Sequence, residues 1–284
     1  MEQRVRSKSK EGKKPLGGNG RMGQQIEKID DHLQKVRNFH DRDAAKYLKE
    51  RYHAKTCEGL AYLTRKEIIL GMTAIKPCRI LDVGCGPGIL TRSLIDKGYT
   101  VYSADLSHEM IKKAREAVSH AANSTSSHFV VSDASQIPIA GSLMDIVLSI
   151  GLMCYIKNHK DVLKEIYRVL KPGGCAIIQI NNIRWPMVYR MFVPLYHRLK
   201  SLIFHKNYDA INFEFNFSSR KRFLKDLCDS NFRVLSMEHY DFRIPFLDVL
   251  LPKLSVKMGK LMFQKRYNPF FTRFSHGLLI KLQK

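Results

Sequence analysis

From Cys78 to Ile180, short apolar runs alternate with stretches whose apolar residues recur at helical spacing, and this alternation constrains the fold more than any other feature. Brief runs rich in Val, Ile and Leu suit strands buried on both faces. Strands are expected at "CRILDV", "TVYSAD", "HFVVSD", "DIVLSI" and "CAIIQI". Between them "ILTRSLIDKG", "SHEMIKKAREAVSHAA" and "HKDVLKEIYRVL" read as helices, and "QIPIAGSL" as a short or irregular crossover. Strands joined through helices form a parallel sheet covered on both faces, and right-handed crossovers bring the strands' carboxyl ends to one edge. Ligands of such sheets bind along that edge, near the point where strand order reverses.

The flanking regions differ. Residues 1–25 are rich in Lys, Arg, Gly and Ser with little to bury, and read as a disordered basic tail. Helical spacing begins with Ile26, Ile29, Leu33 and Val36 and resumes at "EGLAYLTRKEIILGMTAI", so residues 26–76 are expected to form helices that pack onto the domain at 77–284. After the fifth strand, "SSRKRFLKDLCDSN" reads as a helix capped by Ser218 or Ser219, and "FRVLSMEHY" and "SHGLLIKLQK" as strands that finish a seven-stranded sheet. Two basic, apolar inserts, near 184–217 and 241–274, stand where such a fold builds its substrate cover.

The chain has 284 residues and a formal net charge of +22, which bears on partners rather than fold. Anionic lipid and nucleic acid are the two obvious candidates. Much of the surplus lies outside the central segment: 7 Lys/Arg against 2 Glu up to Gln25, and 19 Lys/Arg against 7 Asp/Glu from Ile183 onward. The basic N-terminus lacks the apolar core of a secretory signal, and no window is apolar enough for a spanning helix. The six cysteines form no C-x-x-C pair and no metal-spaced cluster with His. A cytoplasmic protein with free thiols and no metal is expected, with peripheral membrane contact left open.

In "RILDVGCGPGILTRSL", Gly84, Gly86 and Gly88 sit between a strand and a helix, where missing side chains permit a tight turn and close approach of a ligand to the backbone. The spacing is G-x-G-x-G rather than the G-x-G-x-x-G of dinucleotide sites. Asp105 lies 21 residues beyond Gly84, about the ~20-residue gap at which a strand-two carboxylate meets a ribose diol. Capping of the next helix is the competing role for an Asp here, and Ser107 is placed to take it instead. Asp133 is either a ligand contact or a turn former bonded to its own backbone.

Four blocks in order, "ILDVGCGPG", "VYSADLSHEMI", "VVSDASQIPI" and "LKEIYRVLKPGGCAIIQI", resemble the class I S-adenosylmethionine-dependent methyltransferases. The group that includes ubiquinone/menaquinone-type and sterol-type enzymes is the most similar, and the resemblance runs from about Arg79 to Ile180. It implies an α/β fold with a Rossmann-like, doubly wound, seven-stranded sheet, mostly parallel with one antiparallel strand, helices on both faces, an N-terminal helical extension and two lid inserts. It implies S-adenosyl-L-methionine as cofactor, with Asp82, Gly84, Cys85, Gly86 and Gly88 under its methionine part. Asp105 and Leu106 then meet the ribose, and Asp133 and Ala134 the adenine, while Lys171 to Gly174 turn into strand five. Met110 flanks the adenine or packs in the core; Ser149 completes the set, and Tyr47 and Tyr52 lie in a region that folds over the cofactor in the family.

Methyl transfer needs alignment, exclusion of water and, for some acceptors, removal of a proton. Where many relatives carry a His after strand four, "SIGLMCYIKNH" has Cys154 and Tyr155, so no general base is inherited. Tyr155, His159, Asn181 and Asn182 are the residues nearest the strand ends that could act on an acceptor. The loop lacks the Pro-Pro motif of exocyclic-amine enzymes and the Pro-Cys or Thr-Cys context of cytosine-C5 enzymes, which counts against nucleic acid. The inserts interleave aromatic and aliphatic residues with bases, a pattern that suits an interfacial helix or a packed lid. The reading is a methyltransferase for a small-molecule or lipid-like acceptor at O, N or C, at an anionic membrane surface or free of it. Two alternatives stay open: an RNA methyltransferase tethered by its tail, and a non-catalytic cofactor-binding assembly partner.

Overall fold

A computed structural model describes residues 19–47, 51–52, 55–73, 77–121, 123–182, 220–244 and 247–284. The insert near 184–217 and the tail before residue 19 lie outside the described residues. The first helix, α1 (Asn19–Asp43), starts inside the segment expected to be disordered up to residue 25. Arg21, Met22, Gln24 and Gln25 are good helix formers that extend the run past Gly20 and Gly23. Helix α2 (Cys57–Met72) follows, with the Thr56 hydroxyl accepting from Gly59 N at its start.

The alternation predicted from Cys78 onward is then realised as β1 (Arg79–Val83), α3 (Ile89–Ile95), β2 (Thr100–Asp105), α4 (His108–Val118), β3 (Ser127–Val131), β4 (Met144–Ser149), α5 (His159–Val169) and β5 (Leu170–Asn181). The β3 to β4 connection contains no helix. Ser107 caps α4 by accepting from Met110 N at 3.0 Å, and Asn158 caps α5 through Lys160 N. Beyond lie α6 (Arg220–Cys228), β6 (Arg233–Phe242), α7 (Leu247–Leu250), α8 (Pro252–Gln264) and β7 (Ser275–Gln283).

The seven strands run in the order β3-β2-β1-β4-β5-β7-β6, and β7 pairs antiparallel with both β5 and β6. The remaining pairings, β1 with β2 and β4, β2 with β3, and β4 with β5, are parallel. Strand order reverses at the β1/β4 junction, so the turn after β1 opens onto the crevice where ligands of such sheets bind. The period of two in β1 divides its side chains between the faces: Leu81 and Val83 pack with Leu163 and Ile166 of α5, whereas Ile80 packs with Leu94 of α3 and Ile69 of α2. All are almost fully buried, and each contributes about 1.5 to 3 kcal/mol relative to exposure.

Candidate active site

The three glycines after β1 all have positive φ, at 73° for Gly84, 52° for Gly86 and 78° for Gly88, but they serve different ends. A Cβ on Gly88 would stand 2.8 Å from Ala114 Cα, so this glycine lets α3 and α4 close on one another. A Cβ on Gly84 would press on Leu152, whereas one on Gly86 would meet nothing within 4 Å. Only Gly84 and Gly86 line the cavity above the turn. The turn is anchored to β2: the amides of Gly84 and Cys85 both donate to Ala104 O.

Asp105 adds the second anchor. Its Oδ2 accepts from Gly86 N and its Oδ1 from Ser107 N, both at 2.9 Å, so the carboxylate braces the glycine turn and lines the cavity. Burial pushes its pKa up, and those two amides oppose the rise. Asp82 lies beneath the turn, accepts from Thr91 Oγ1, and is pushed up to about 7 by burial. Asp133 accepts from both the amide and the hydroxyl of Ser135, so its turn-forming role is realised while the residue also lines the cavity with Ala134.

The cavity encloses about 270 Å³. Its floor is Gly84, Gly86, Asp105, Leu106, Met110 and Ala134; helix α1 contributes Leu33, Val36 and His40, and α2 contributes Tyr62 and Arg65. Two contacts hold α1 across the opening. Asp41 accepts from the Ser107 hydroxyl and from Glu109 N, and His32 Nε2 donates to Tyr155 O at 2.9 Å. Arg65 stacks over the Tyr62 ring at 4.5 Å, faces the hydroxyls of Tyr52 and Tyr240, and forms no ion pair with a described carboxylate. It also lines a small recess with Tyr47, Tyr52, Asp82, Gly84 and Cys85.

Of the residues singled out from sequence, Gly84, Gly86, Asp105, Leu106, Met110, Asp133, Ala134, Tyr47, Tyr155 and Asn181 line the cavity, and Asp82, Cys85 and Tyr52 the recess. Gly88 and Ser149 line neither. Ser149 is fully buried at the end of β4, and its hydroxyl has no hydrogen-bond partner among the described residues. His159 is corrected to a structural role: its Nε2 donates to Met153 O, its ring meets Phe223 edge-on, and it does not reach the cavity. Position one of α5 points that side chain toward α6 rather than toward the strand ends. Asn182 also stays out of the cavity lining: its Nδ2 donates to Ser275 O and Oγ, while its buried Oδ1 has no partner among the described residues.

Arg65, His40, Gln179, Tyr240, Asp241 and Arg243 line the cavity without having been singled out. The first two come from helices whose docking no local pattern reveals. Tyr240 leans over Gly277 of β7, where a Cβ would stand 2.3 Å from its ring; a glycine inside an apolar strand was the available signal for that close approach. Among the described residues of the second insert, only Asp241 and Arg243 reach the cavity, because the buried face of α8 is used on α2 and β6.

Residues 81–178 match the family model described as a methyltransferase domain. That segment, about a third of the chain, is a methyltransferase domain. Malonyl-[acyl-carrier protein] O-methyltransferase of Enterobacter lignolyticus is 36% identical over 96 residues, 34% of this chain and 36% of that protein. The enzyme of the same name from Serratia marcescens is 32% identical over 112 residues, 39% of this chain and 42% of that one. The chain thus spans about two fifths of the length of these relatives. Among solved structures, a chain of the complex containing the Haloferax volcanii Trm112 methyltransferase activator superposes with a TM-score of 0.61, at 22% identity over 87% of this chain and 96% of that one. Geranyl diphosphate C-methyltransferase of Streptomyces coelicolor gives 0.54, at 15% identity over 78% and 79%. Both share the fold.

The match to a methyltransferase domain implies S-adenosylmethionine as cofactor, and the residues present fit it. The space over Gly86 is clear to 4 Å. The Ser132 hydroxyl, buried at the cavity wall, has no partner among the described residues, and Arg65 offers a guanidinium at the opposite end of the glycine turn.

Proposed function

We propose that the protein is an S-adenosylmethionine-dependent methyltransferase whose acceptor is a small-molecule or lipid-like acid, methylated at an oxygen that enters the cavity already ionised. One observation carries this: burial moves the His40, Cys154, Tyr155 and Tyr240 side chains at the cavity wall away from proton uptake near neutral pH, and the Asp241 carboxylate is held by Arg243. Burial draws His40 down to about 4, and pushes Cys154 and Tyr240 up to about 12 and Tyr155 well above its usual range. An efficient general base has a pKa near the working pH. A carboxylate needs none, whereas an alcohol does. Asp82, at about 7, lies beneath the glycine turn and not on the acceptor side.

When bound, S-adenosylmethionine supplies a methyl group already activated on a sulfonium. Gly84, Gly86 and Arg65 would hold its methionine part, Asp105 the ribose, and Met110, Asp133 and Ala134 the adenine. Helices α1 and α2 exclude water from above, and Tyr155, which keeps its proton, offers the acceptor a hydrogen-bond donor. The names of the malonyl-[acyl-carrier protein] O-methyltransferases agree with an oxygen acceptor.

Incubation with methyl-labelled cofactor and a panel of acids, alcohols, amines and RNA tests the reading. Label should appear in an acid and be released by mild alkali, as methyl esters are. Label stable to alkali, or label in RNA, overturns it. Tight binding of S-adenosylhomocysteine with no transfer to any class would favour the assembly-partner alternative.

A further inference from the structure

We infer that α7, α8 and the turn after them form a docking surface for an anionic lipid bilayer, beside the elements that build the cavity. Helix α8 has one buried stripe, Ser255, Gly259 and Met262, at the i, i+4, i+7 spacing of a single helix face. Ser255 accepts from Cys57 Sγ of α2 at 3.0 Å, and Gly259 lets the helix approach Phe242 O of β6. That packing fixes which side faces outward.

The outward side is not an ordinary solvated one. Leu250, Leu251, Leu254 and Leu261 are 42 to 62% exposed, and Tyr267 and Phe270 extend the apolar edge at 68 and 56%. Lys253, Lys257 and Lys260, again at i, i+4, i+7, stand exposed alongside the leucine flank. Between 247 and 274 there are six Lys/Arg and one Asp. An apolar flank beside a basic one is the arrangement of a helix lying in the headgroup boundary, with leucines and aromatics entering the acyl region and lysines meeting anionic headgroups. An acidic protein surface would satisfy the lysines but leave the leucines and Tyr267 without an apolar phase, and RNA could pair with the lysines and stack on Tyr267 but would leave the leucines. No described helix is long and apolar enough to cross a membrane, so contact through this surface is peripheral. Helix α8 packs on α2 and β6, which supply Tyr62, Arg65 and Tyr240 to the cavity, so the surface adjoins the acceptor side.

Flotation with vesicles tests this without turnover, so its outcome is separate from that of the acceptor reading. The full chain should float with vesicles of phosphatidylcholine containing one third phosphatidylglycerol and stay behind with phosphatidylcholine alone. Leu250→Ser/Leu251→Ser/Leu254→Ser should lower the partition coefficient at least about tenfold. Lys253→Glu/Lys257→Glu/Lys260→Glu should lower it by a similar factor, most strongly at low salt. Both variants should bind S-adenosylhomocysteine like the wild type, which shows them folded. The inference is overturned by no flotation of the wild type, by equal flotation with neutral vesicles, or by a folded leucine variant that floats as well as the wild type. Preferential retention on RNA or on an acidic protein at matched salt, without vesicle binding, also overturns it.

Discussion

Replacing Arg65 by Met separates the methionine end of the cofactor from the rest. The guanidinium stacks on the Tyr62 ring, faces the hydroxyls of Tyr52 and Tyr240, and forms no ion pair with a described carboxylate. Asp82 acts on it only from beyond ion-pair distance, so a carboxylate arriving over the glycine turn would be its first close ion-pair partner among the described residues. A hydrogen bond to a charged group contributes about 1.5 to 3 kcal/mol, which corresponds to a roughly 10- to 150-fold change in Kd. Titration calorimetry with two ligands isolates that part. S-adenosylhomocysteine, which carries the amino-acid carboxylate, should bind the variant 10- to 150-fold more weakly. 5′-Methylthioadenosine, which lacks the carboxylate, should bind variant and wild type alike. The unliganded variant should lose no more than about 1 kcal/mol of stability, because removing an unneutralised buried charge offsets the two hydroxyl contacts. An equal loss for both ligands would refute the reasoning, since it would place Arg65 in the shape of the cavity rather than at the carboxylate.

Asp82→Asn should stabilise the unliganded protein increasingly as pH rises. The folded pKa of Asp82, about 7, exceeds its unfolded value, so its ionisation costs stability that is progressively lost from about pH 4 to 7. In denaturant melts the variant's advantage should grow by about 1 to 3 kcal/mol between pH 5 and pH 7, and a constant difference would contradict the assignment. Gly88→Ala should cost about 2 to 4 kcal/mol, from positive φ and overlap with Ala114, while Gly86→Ala should melt higher than Gly88→Ala yet bind S-adenosylhomocysteine at least about tenfold more weakly. Tyr155→Phe should lower kcat/KM about tenfold. His159→Gln should lower stability by about 1 to 3 kcal/mol and leave kcat per folded molecule unchanged.

Local chemistry made much of the site legible. A glycine at positive φ, a Ser that caps a helix and a carboxylate at the end of a strand each follow from a few neighbouring residues, so Gly84, Gly86, Ser107 and Asp105 could be singled out as candidates from the sequence. His159 was misplaced for the same reason in reverse. Sequence put it near the end of β4, but its ring direction depends on α6, which arrives some 60 residues later and turns Phe223 and Asp226 toward it. The start of α1 at Asn19 was missed because composition marks a basic, glycine-containing segment as poor in burial, while helix continuation depends on the run that follows.

The residues alone determined the alternation of strands and helices and a glycine turn after the first strand, because hydrophobic period and turn chemistry act over a few residues, while the one antiparallel strand of the sheet came with the family resemblance. Tertiary structure decided what stands opposite that turn. Arg65 and His40 from the N-terminal helices, and Tyr240 brought over Gly277 by the antiparallel pairing of β6 and β7, are separated from the glycines by about 20 to about 155 residues. Their positions follow from which helix faces find a buried partner and which, like the outer side of α8, are left facing outward, and those choices are settled only when the whole core packs.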